Sequence, residues 1–274
     1  MFFWGCLYQH SVLSLYNLKL TLKYPLKFLP SLGWACQFIG YIFMKKKLEK
    51  DQIHFSNMLR YYKRVDKDVN ILLFPEGKDL KEETIKESDA YAESKGLPAY
   101  RYVLHPRTGG FHCFLTEMRN SGTLENLYDV TIAYRDDTCI PSDELSLVKG
   151  SIPREVHCHV TKYPVKDLPS SKQELKAFCA KLWKAKEEKL RNFYTKQVNF
   201  STEADSLRNF GNSTIRTIGQ LFALSVWIPF TIYSIYLTST SYLVLAYVTT
   251  CIVGLILCSR HLGGFDMLQL HSVV

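Results

Sequence analysis

The sequence predicts an α/β domain followed by a C-terminal transmembrane helical hairpin. Through the first four-fifths of the chain, short apolar runs typical of strands alternate with longer amphipathic segments typical of helices. Residues 217–259 then contain no Asp, Glu, Lys, Arg or His, which is an uncharged run of 43 residues. A helix needs roughly 20 apolar residues to cross a bilayer, so this run is long enough for two helices.

In the first half of the chain, five segments predict regular elements. Residues 11–20 and 70–74 are rich in aliphatic side chains and predict strands, and the second strand is expected to stop at a turn. Apolar side chains at helical spacing predict three helices, and a glycine is expected to end the last of them. These helices cover residues 30–43, 51–62 and 82–95, and the glycine is Gly96.

In the second half, residues 128–134 and 155–163 predict two further strands. Alternation along the second of these strands places His157 and His159 on one face. Two histidines without a third ligand nearby favour a half-exposed strand over a zinc site, so no metal is expected.

A long amphipathic helix is predicted after the last strand. Ser171 and Glu174 have the spacing of a capping box, and apolar residues then recur at helical spacing opposite a lysine-rich face. Two interpretations of this helix remain open at this stage. It either packs on the domain as an ordinary surface helix or lies on an anionic membrane surface.

A polar tetrad divides the uncharged run into two expected spans, residues 217–237 and 242–258. Arginines flank the run on both sides, so both ends are expected in the cytosol. A buried helical pair in a soluble protein and a re-entrant second segment are the alternatives. The expected organisation is a domain, a linker, a two-helix hairpin and a tail, over residues 1–194, 195–214, 215–259 and 260–274.

The charge distribution excludes several classes of protein. The net charge is +8, all of it within residues 1–216, and the aromatic content of 14% is too high for a disordered chain. Because the lysines are dispersed among acidic residues and no zinc or RNA-binding motif accompanies them, nucleic acid is not an expected partner. Anionic lipid and ligand phosphates fit this charge better. Eight scattered cysteines without a Cys-x-x-Cys pair predict reduced thiols in the cytosol.

The segment Phe-Pro-Glu-Gly at residues 74–77 is the strongest candidate for chemistry. A strand leads into a sharp turn that presents the carboxylate of Glu76 and then the amide of Gly77, with no side chain to block it. Such an amide can approach a phosphate or an oxyanion, and Glu76 can accept a hydrogen bond from a substrate hydroxyl. The alternative is a simple strand-ending turn with a solvated glutamate.

Three segments together resemble the glycerolipid acyltransferases, which form the 1-acylglycerol-3-phosphate acyltransferase superfamily. Residues 74–77 resemble its third sequence block, residues 40–46 resemble the second, and residues 103–111 resemble the fourth. Within that superfamily the chain is most similar to the lysocardiolipin acyltransferase branch. The resemblance covers roughly residues 1–200, and the hydrophobic hairpin also suits this branch.

The resemblance implies a glycerolipid-acyltransferase-like mixed sheet with flanking helices. It also implies transfer of a fatty acyl group from acyl-CoA, as co-substrate, to the hydroxyl of a lysophospholipid, with no cofactor. It places the protein in the membrane of the endoplasmic reticulum, with a mitochondrial membrane as the second choice. The α/β domain would lie in the cytosol. Lys46 would pair with the lipid phosphate, and Glu76 and Gly77 would position the glycerol head. The other residues lining the site would be His105, Pro106 and Arg107.

The catalytic His-x-x-x-x-Asp pair of the family is not found beside these blocks. In the family the histidine is the general base, the aspartate orients it, and a segment like residues 1–4 follows the pair. The one match here, His261 to Asp266, lies beyond the hairpin, and we expect it to be coincidental. Residues 1–274 should therefore transfer acyl groups negligibly, because removal of a general base costs about 10²–10⁴-fold in rate.

The chain departs from the family pattern at two further positions, and three interpretations of its function are open. Lys46 stands where the family commonly has Arg, which keeps the charge but loses the bidentate fork, and Lys78 stands where Thr or Ser is usual. The chain is interpreted as a truncated form of an acyltransferase. The alternatives are a catalytically inactive lipid-binding or regulatory relative and a membrane-anchored interaction domain. No protein partner is indicated.

Overall fold

A computed structural model of the chain describes residues 17–45, 47–65, 68–135, 155–196, 200 and 213–271. The chain divides into two compact units. The first comprises Met1–Thr202 with Leu270–Val274, and the second comprises Glu203–Gln269.

The strands of the first unit form two sheets within the described residues. A parallel sheet contains β1 (Leu18–Lys23), β2 (Ile42–Met44) and β3 (Asn70–Leu72) in the order β2-β1-β3. An antiparallel pair contains β4 (Asn126–Tyr134) and β5 (Val156–Pro164), with Val130 opposite Val160. The α/β class is confirmed. Parallel and antiparallel pairings are both present, but in two separate sheets. The described strands therefore do not join into the one mixed sheet that was expected.

Eight α-helices and two short 3₁₀ helices, Tyr24–Phe28 and Val165–Asp167, accompany these strands in the described residues. The first unit contains the first five α-helices and the second unit contains the last three, of which α8 extends two residues past the unit boundary. In chain order they are α1 (Leu32–Ile39), α2 (Leu48–Arg64), α3 (Glu82–Lys95), α4 (Thr108–Asn120), α5 (Lys172–Lys196), α6 (Ser213–Thr240), α7 (Tyr242–His261) and α8 (Phe265–His271).

Local signals place several of these boundaries as predicted. Gly96 has a left-handed φ of +63° and ends α3, because a residue without a Cβ adopts this conformation without strain. At the start of α5, the Glu174 amide donates to Ser171 Oγ at 3.2 Å, and the Ser171 amide donates to Glu174 Oε2 at 3.4 Å. The capping box is therefore confirmed.

Three sequence predictions need correction. The helix expected over residues 30–43 ends at Ile39, because Gly40 has a φ of +79° and closes the helix before β2 begins. The strand expected over residues 11–20 begins at Leu18 and continues to Lys23, while residues 11–16 lie outside the described residues. Helix α4 was not predicted, because its first turn contains two glycines that lower helix propensity.

The core of the first unit lies between α4, α5 and the β4-β5 pair. Apolar side chains of α5 face this core, so the packed-helix interpretation holds and the apolar face is not free for a membrane. Lys186 crosses from α5 to β4, where its Nζ lies 2.6 Å from Asp129 Oδ1 and donates to Val130 O at 2.6 Å. The buried members of α5 are Leu175, Cys179, Leu182, Trp183, Lys186, Glu187, Leu190 and Phe193.

The second unit contains two long apolar helices joined through Ser241. The predicted polar turn is instead helical to Thr240, and the hydroxyls of residues 238–240 donate to carbonyls one turn earlier. Leu221–Thr240 and Tyr242–His261 are long and apolar enough to cross a membrane by length and composition alone. None of the first window and 6% of the second is buried, so neither helix has the burial of a soluble protein's core helix.

Candidate functional site

The Phe-Pro-Glu-Gly segment forms a tight turn just after β3. The Gly77 amide donates to Phe74 O at 3.0 Å, and Gly77 has a φ of +68°, a conformation that favours glycine. The amide that the sequence suggested for a phosphate or oxyanion is therefore engaged in closing the turn. The contribution of Gly77 visible in the structure is its backbone conformation.

Glu76 connects this turn to two distant parts of the domain. Its Oε1 accepts a hydrogen bond from Trp183 Nε1 of α5 at 3.0 Å, and its Oε2 accepts one from the Leu104 amide at 3.2 Å. Burial raises the pKa of the Glu76 carboxyl, whereas these two hydrogen bonds and the charge of Lys186 act to lower it. Each carboxylate oxygen thus has one protein donor, and each keeps a further lone pair for a ligand.

The segment after residue 103 lies directly against the turn. The Arg107 amide donates to Pro75 O at 2.7 Å, and the Leu104 amide reaches Glu76, so two backbone groups fix the spacing between the segments. Pro106 is buried between these two contacts. The structure therefore brings together Glu76, Gly77, Pro106 and Arg107, which are separated by up to 31 positions in the sequence.

His105 is held by packing and by hydrogen bonds on the α3 side of this segment. Its ring stacks on Tyr100 with centroids 4.1 Å apart and an interplanar angle of 14°. Its amide donates to Ser88 Oγ at 3.0 Å, and its Nε2 lies 3.0 Å from Pro98 O. A carbonyl can only accept, so the geometry assigns the proton to Nε2. His105 supports the wall of the site through these contacts.

Two basic side chains flank the turn on its exposed side. Arg107 is exposed and packs across Gly77, where an added Cβ would lie 3.5 Å from Arg107 Cδ and 3.6 Å from Nε. Lys78 donates to Glu87 of α3, and this bond is the main reason that the pKa of Glu87 is lowered. Arg107 adds a smaller electrostatic contribution in the same direction. Lys46, the predicted phosphate partner, lies outside the described residues.

A cleft of about 930 Å³ opens beside the turn, between β3 and β4. Consecutive residues of both strands line it, which indicates that their edges rather than their faces border the space. This volume lies at the upper end of the range of about 300–1,000 Å³ typical of small-molecule sites. Glu76 and Lys78 line the cleft together with the apolar side chains of Phe111, Phe114, Leu115 and Leu182.

Asp129, Trp183 and Lys186 were not predicted at this site from the sequence. Asp129 and Lys186 form their buried ion pair on its wall, and Trp183 lies between that pair and Glu76. Helical spacing places Trp183 among the apolar residues of α5, but nothing in local spacing links it to a glutamate 107 positions earlier. Such a contact between distant positions depends on tertiary packing.

Two other sequence motifs belong to other elements of the chain. His157 lies 3.2 Å from Glu155 and packs near Phe193, and His159 contacts Lys189 at 3.3 Å. Burial lowers the pKa of His159. In the second unit, His261 is exposed at the end of α7, whereas Asp266 is buried in α8. The five-residue spacing of this last pair thus joins residues of different helices and opposite burial.

Comparison with known proteins gives consistent matches along the chain. The family described as Acyltransferase matches residues 1–135, and the family described as Acyltransferase C-terminus matches residues 146–218. Lysocardiolipin acyltransferase 1 of Gallus gallus is 36% identical over 271 residues, covering 98% of this chain and 71% of the relative. The corresponding protein of Mus musculus is 37% identical over 274 residues, with the same two coverages.

A third relative has a different name. Lysophosphatidylinositol acyltransferase 10 of Caenorhabditis elegans is 38% identical over 198 residues, covering 72% of this chain and 50% of the relative. No solved structure matches the chain.

Proposed function

Because this chain belongs to the 1-acylglycerol-3-phosphate acyltransferase superfamily of lysophospholipid acyltransferases, we propose that its first unit binds a lysophospholipid and an acyl-CoA. The proposed site is the turn at residues 74–77 together with Arg107, which packs across it. One observation carries this proposal. The side chain of Arg107 is exposed and packs across Gly77, while the neighbouring Glu76 and Lys78 line a cleft of about 930 Å³ that also contains apolar side chains of α4. Basic groups close to a cleft with an apolar part match a ligand that has both a phosphate and a fatty chain.

Each part of the site has a distinct task in this proposal. Arg107 presents a planar fork that suits a phosphate, and Lys46 adds a second positive charge by family resemblance. Glu76 holds the turn through Trp183 and Leu104, and a remaining lone pair can accept from a glycerol hydroxyl. The apolar side chains of α4 in the cleft receive acyl carbon atoms.

The reaction proposed for the family chemistry is an acyl transfer to oxygen. The lipid hydroxyl attacks the thioester carbonyl, a C–O bond forms, the C–S bond breaks, and coenzyme A leaves as the thiol. The hydroxyl proton passes through a general base, which the resemblance assigns to the histidine of His-x-x-x-x-Asp. The one match to this pair in the sequence, His261 to Asp266, is far from the three blocks along the chain, so no catalytic base is assigned.

A second candidate function follows from that missing pair. Residues 1–274 would then act as a lipid-binding or regulatory relative that binds both ligands without turnover. The Lys78–Glu87 ion pair favours this alternative slightly, since a neutral hydroxyl is usual at position 78 in the family. We place either protein in the endoplasmic reticulum membrane with the first unit in the cytosol.

Binding and acyl-transfer assays with isotope-labelled acyl-CoA and lysophosphatidate test this proposal. They use the purified 274-residue chain in detergent micelles. We expect saturable binding of both ligands, with acyl transfer about 10²–10⁴-fold slower than that of the mouse relative under the same conditions. Absence of binding would refute the proposed site. Rapid transfer that Glu76→Ala abolishes would show that the chain carries its own base.

Mass spectrometry of the N-terminal peptide of the native protein separates the two candidate functions. An upstream extension that carries His-x-x-x-x-Asp would identify a complete acyltransferase. A native start at Met1 would favour the binding protein without turnover.

A further inference from the structure

The outward face of α1 is apolar along its whole length. Leu32, Phe38 and Ile39 are 60%, 58% and 49% exposed, and Ala35 is exposed between them. The helix contains no charged residue. Phe28 and Leu29, just before it, are 45% and 43% exposed and extend the same surface, which we call the α1 patch. Five large apolar side chains exposed within twelve residues indicate an interaction surface.

The exposure of the α1 patch results from a firmly packed helix. Gly33 lies so close to the preceding turn that an added Cβ would be 2.4 Å from Leu26 O. Gln37 donates to Lys27 O at 2.8 Å, and the buried Lys19 donates to Ile39 O at 2.6 Å. These contacts hold the inner face of α1 against β1 and the preceding turn, so the apolar outer face cannot rotate inward.

Basic side chains border the α1 patch at the Phe28 end. Lys45 Nζ lies 4.4 Å from the ring centroid of Tyr24, and the Tyr24 ring meets Phe28 edge-on at 5.3 Å. Lys47 and Lys50, both exposed, follow Lys45 in the sequence.

The acidic residues in the same segment do not cancel this charge. Asp51 is buried and accepts from the amides of Lys45 and Lys47 at 2.7 and 3.0 Å, so it fixes the loop from inside. Of the two acidic residues within positions 44–51, Glu49 is exposed and Asp51 is buried. An apolar and aromatic surface beside lysines has the composition of a helix that lies in a bilayer interface.

We propose that the α1 patch docks into the interfacial region of an anionic phospholipid bilayer, with Lys45 and Lys47 at the level of the lipid phosphates. Leu32, Phe38 and Ile39 enter the boundary between head groups and acyl chains, where their exposed area leaves water. The lysines are attracted by the negative surface potential. The chain also has two helices that are long and apolar enough to cross a membrane by length and composition, which fits a protein at a bilayer. This contact does not depend on acyl transfer.

Photolabelling of the intact chain tests this docking without removing any segment. The protein is reconstituted in phosphatidylcholine vesicles with or without phosphatidylserine, each containing a phospholipid with a diazirine on its acyl chain. After illumination, lipid adducts are mapped by peptide mass spectrometry. We expect adducts on residues 28–39 that become several-fold more abundant with phosphatidylserine, while the exposed and acidic helix α3 stays unlabelled.

Two variants test the role of the lysine border. Lys45→Glu should lower the adduct yield on residues 28–39 by at least about fivefold, the effect expected for loss of one lysine at an anionic surface. Lys95→Glu, at the exposed end of α3, is the matched control and should leave the yield unchanged. Thermal unfolding of both variants shows that they are folded.

Several outcomes would overturn the proposal. Absence of adducts on residues 28–39, in a sample whose α6 and α7 are labelled, would exclude contact with lipid. Equal yields with and without phosphatidylserine would refute the role of the lysines. Chemical cross-links joining residues 28–39 of two molecules, with no lipid adducts, would show that a second copy covers the patch.

Discussion

Glu76 and Arg107 lie on either side of the same turn and are held in opposite ways. Both oxygens of Glu76 accept hydrogen bonds from inside the domain, and burial raises its pKa. Arg107 is fixed through its backbone amide, while its side chain is exposed across Gly77. The difference teaches that residues of two sequence blocks have different tasks at one turn: the Glu76 carboxylate sets the geometry of the turn, and the exposed Arg107 guanidinium can contact a ligand.

The largest effect is expected on the buried side of this comparison. Glu76→Ala should lower the free energy of unfolding by about 3 kcal/mol, because two N–H donors lose their acceptor at about 1–3 kcal/mol each. Urea unfolding of the full chain in micelles, followed by circular dichroism, measures this change. The exposed Glu93→Ala is the control and should have little effect. Equal stabilities for the two variants would mean that Glu76 does not brace the turn.

On the exposed side, Arg107→Ala should weaken lysophosphatidate binding about tenfold and leave the unfolding midpoint unchanged. Loss of charge-assisted hydrogen bonds to a phosphate, worth about 1.5–3 kcal/mol, supports this magnitude. Arg101→Ala is the matched control, since Arg101 is also exposed but lies 3.7 Å from Asp89. If both arginine variants bind equally well, Arg107 is not the phosphate partner.

The raised pKa of Glu76 predicts a dependence of stability on pH. Between the ordinary glutamate value of 4.5 and the higher folded pKa, the folded state binds more protons than the unfolded state. Stability should therefore fall as pH rises through this window. Glu76→Gln should remove this part of the slope in unfolding experiments at a series of pH values, whereas Glu93→Gln should retain it. An unchanged slope in Glu76→Gln would assign the pH dependence to other groups.

The smallest effect is expected at Lys78. The Lys78–Glu87 pair is exposed, with 33% and 61% of the side chains accessible, and exposed pairs contribute about 0–1 kcal/mol. Lys78→Ala should therefore change the free energy of unfolding by less than about 1 kcal/mol in the same urea series. A loss as large as that of Glu76→Ala would mean that both sides of the turn are structural.

Local patterns predicted those parts of the fold that local physics determines. The ends of α3, the capping box of α5 and the strands β4 and β5 follow from glycine, hydroxyl and alternation signals within a few residues. The end of α1 was missed because the apolar spacing continues through Gly40 into a strand. Helix α4 was missed because tertiary burial of Phe111 and Phe114 outweighs two unfavourable glycines.

For the candidate site, the sequence predicted which residues lie close together but not the contacts that hold them. The sequence blocks place Glu76, Gly77, Pro106 and Arg107 in one neighbourhood, and the structure brings these four together. The bond from Trp183 to Glu76 was not predictable, because it depends on how α5 packs beside the turn. Without that packing, a braced carboxylate cannot be distinguished from a solvated one. The role of Lys46 remains a prediction.

The most direct test of the account is a double-mutant cycle between Glu76 and Trp183. Glu76→Ala, Trp183→Phe and the double variant are compared with the parent chain by urea unfolding in micelles. We predict that the double variant loses less stability than the sum of the single losses, by about 0.5–3 kcal/mol, the range for residues in contact. Strict additivity would contradict the central claim that the indole of Trp183 holds the carboxylate that shapes the turn.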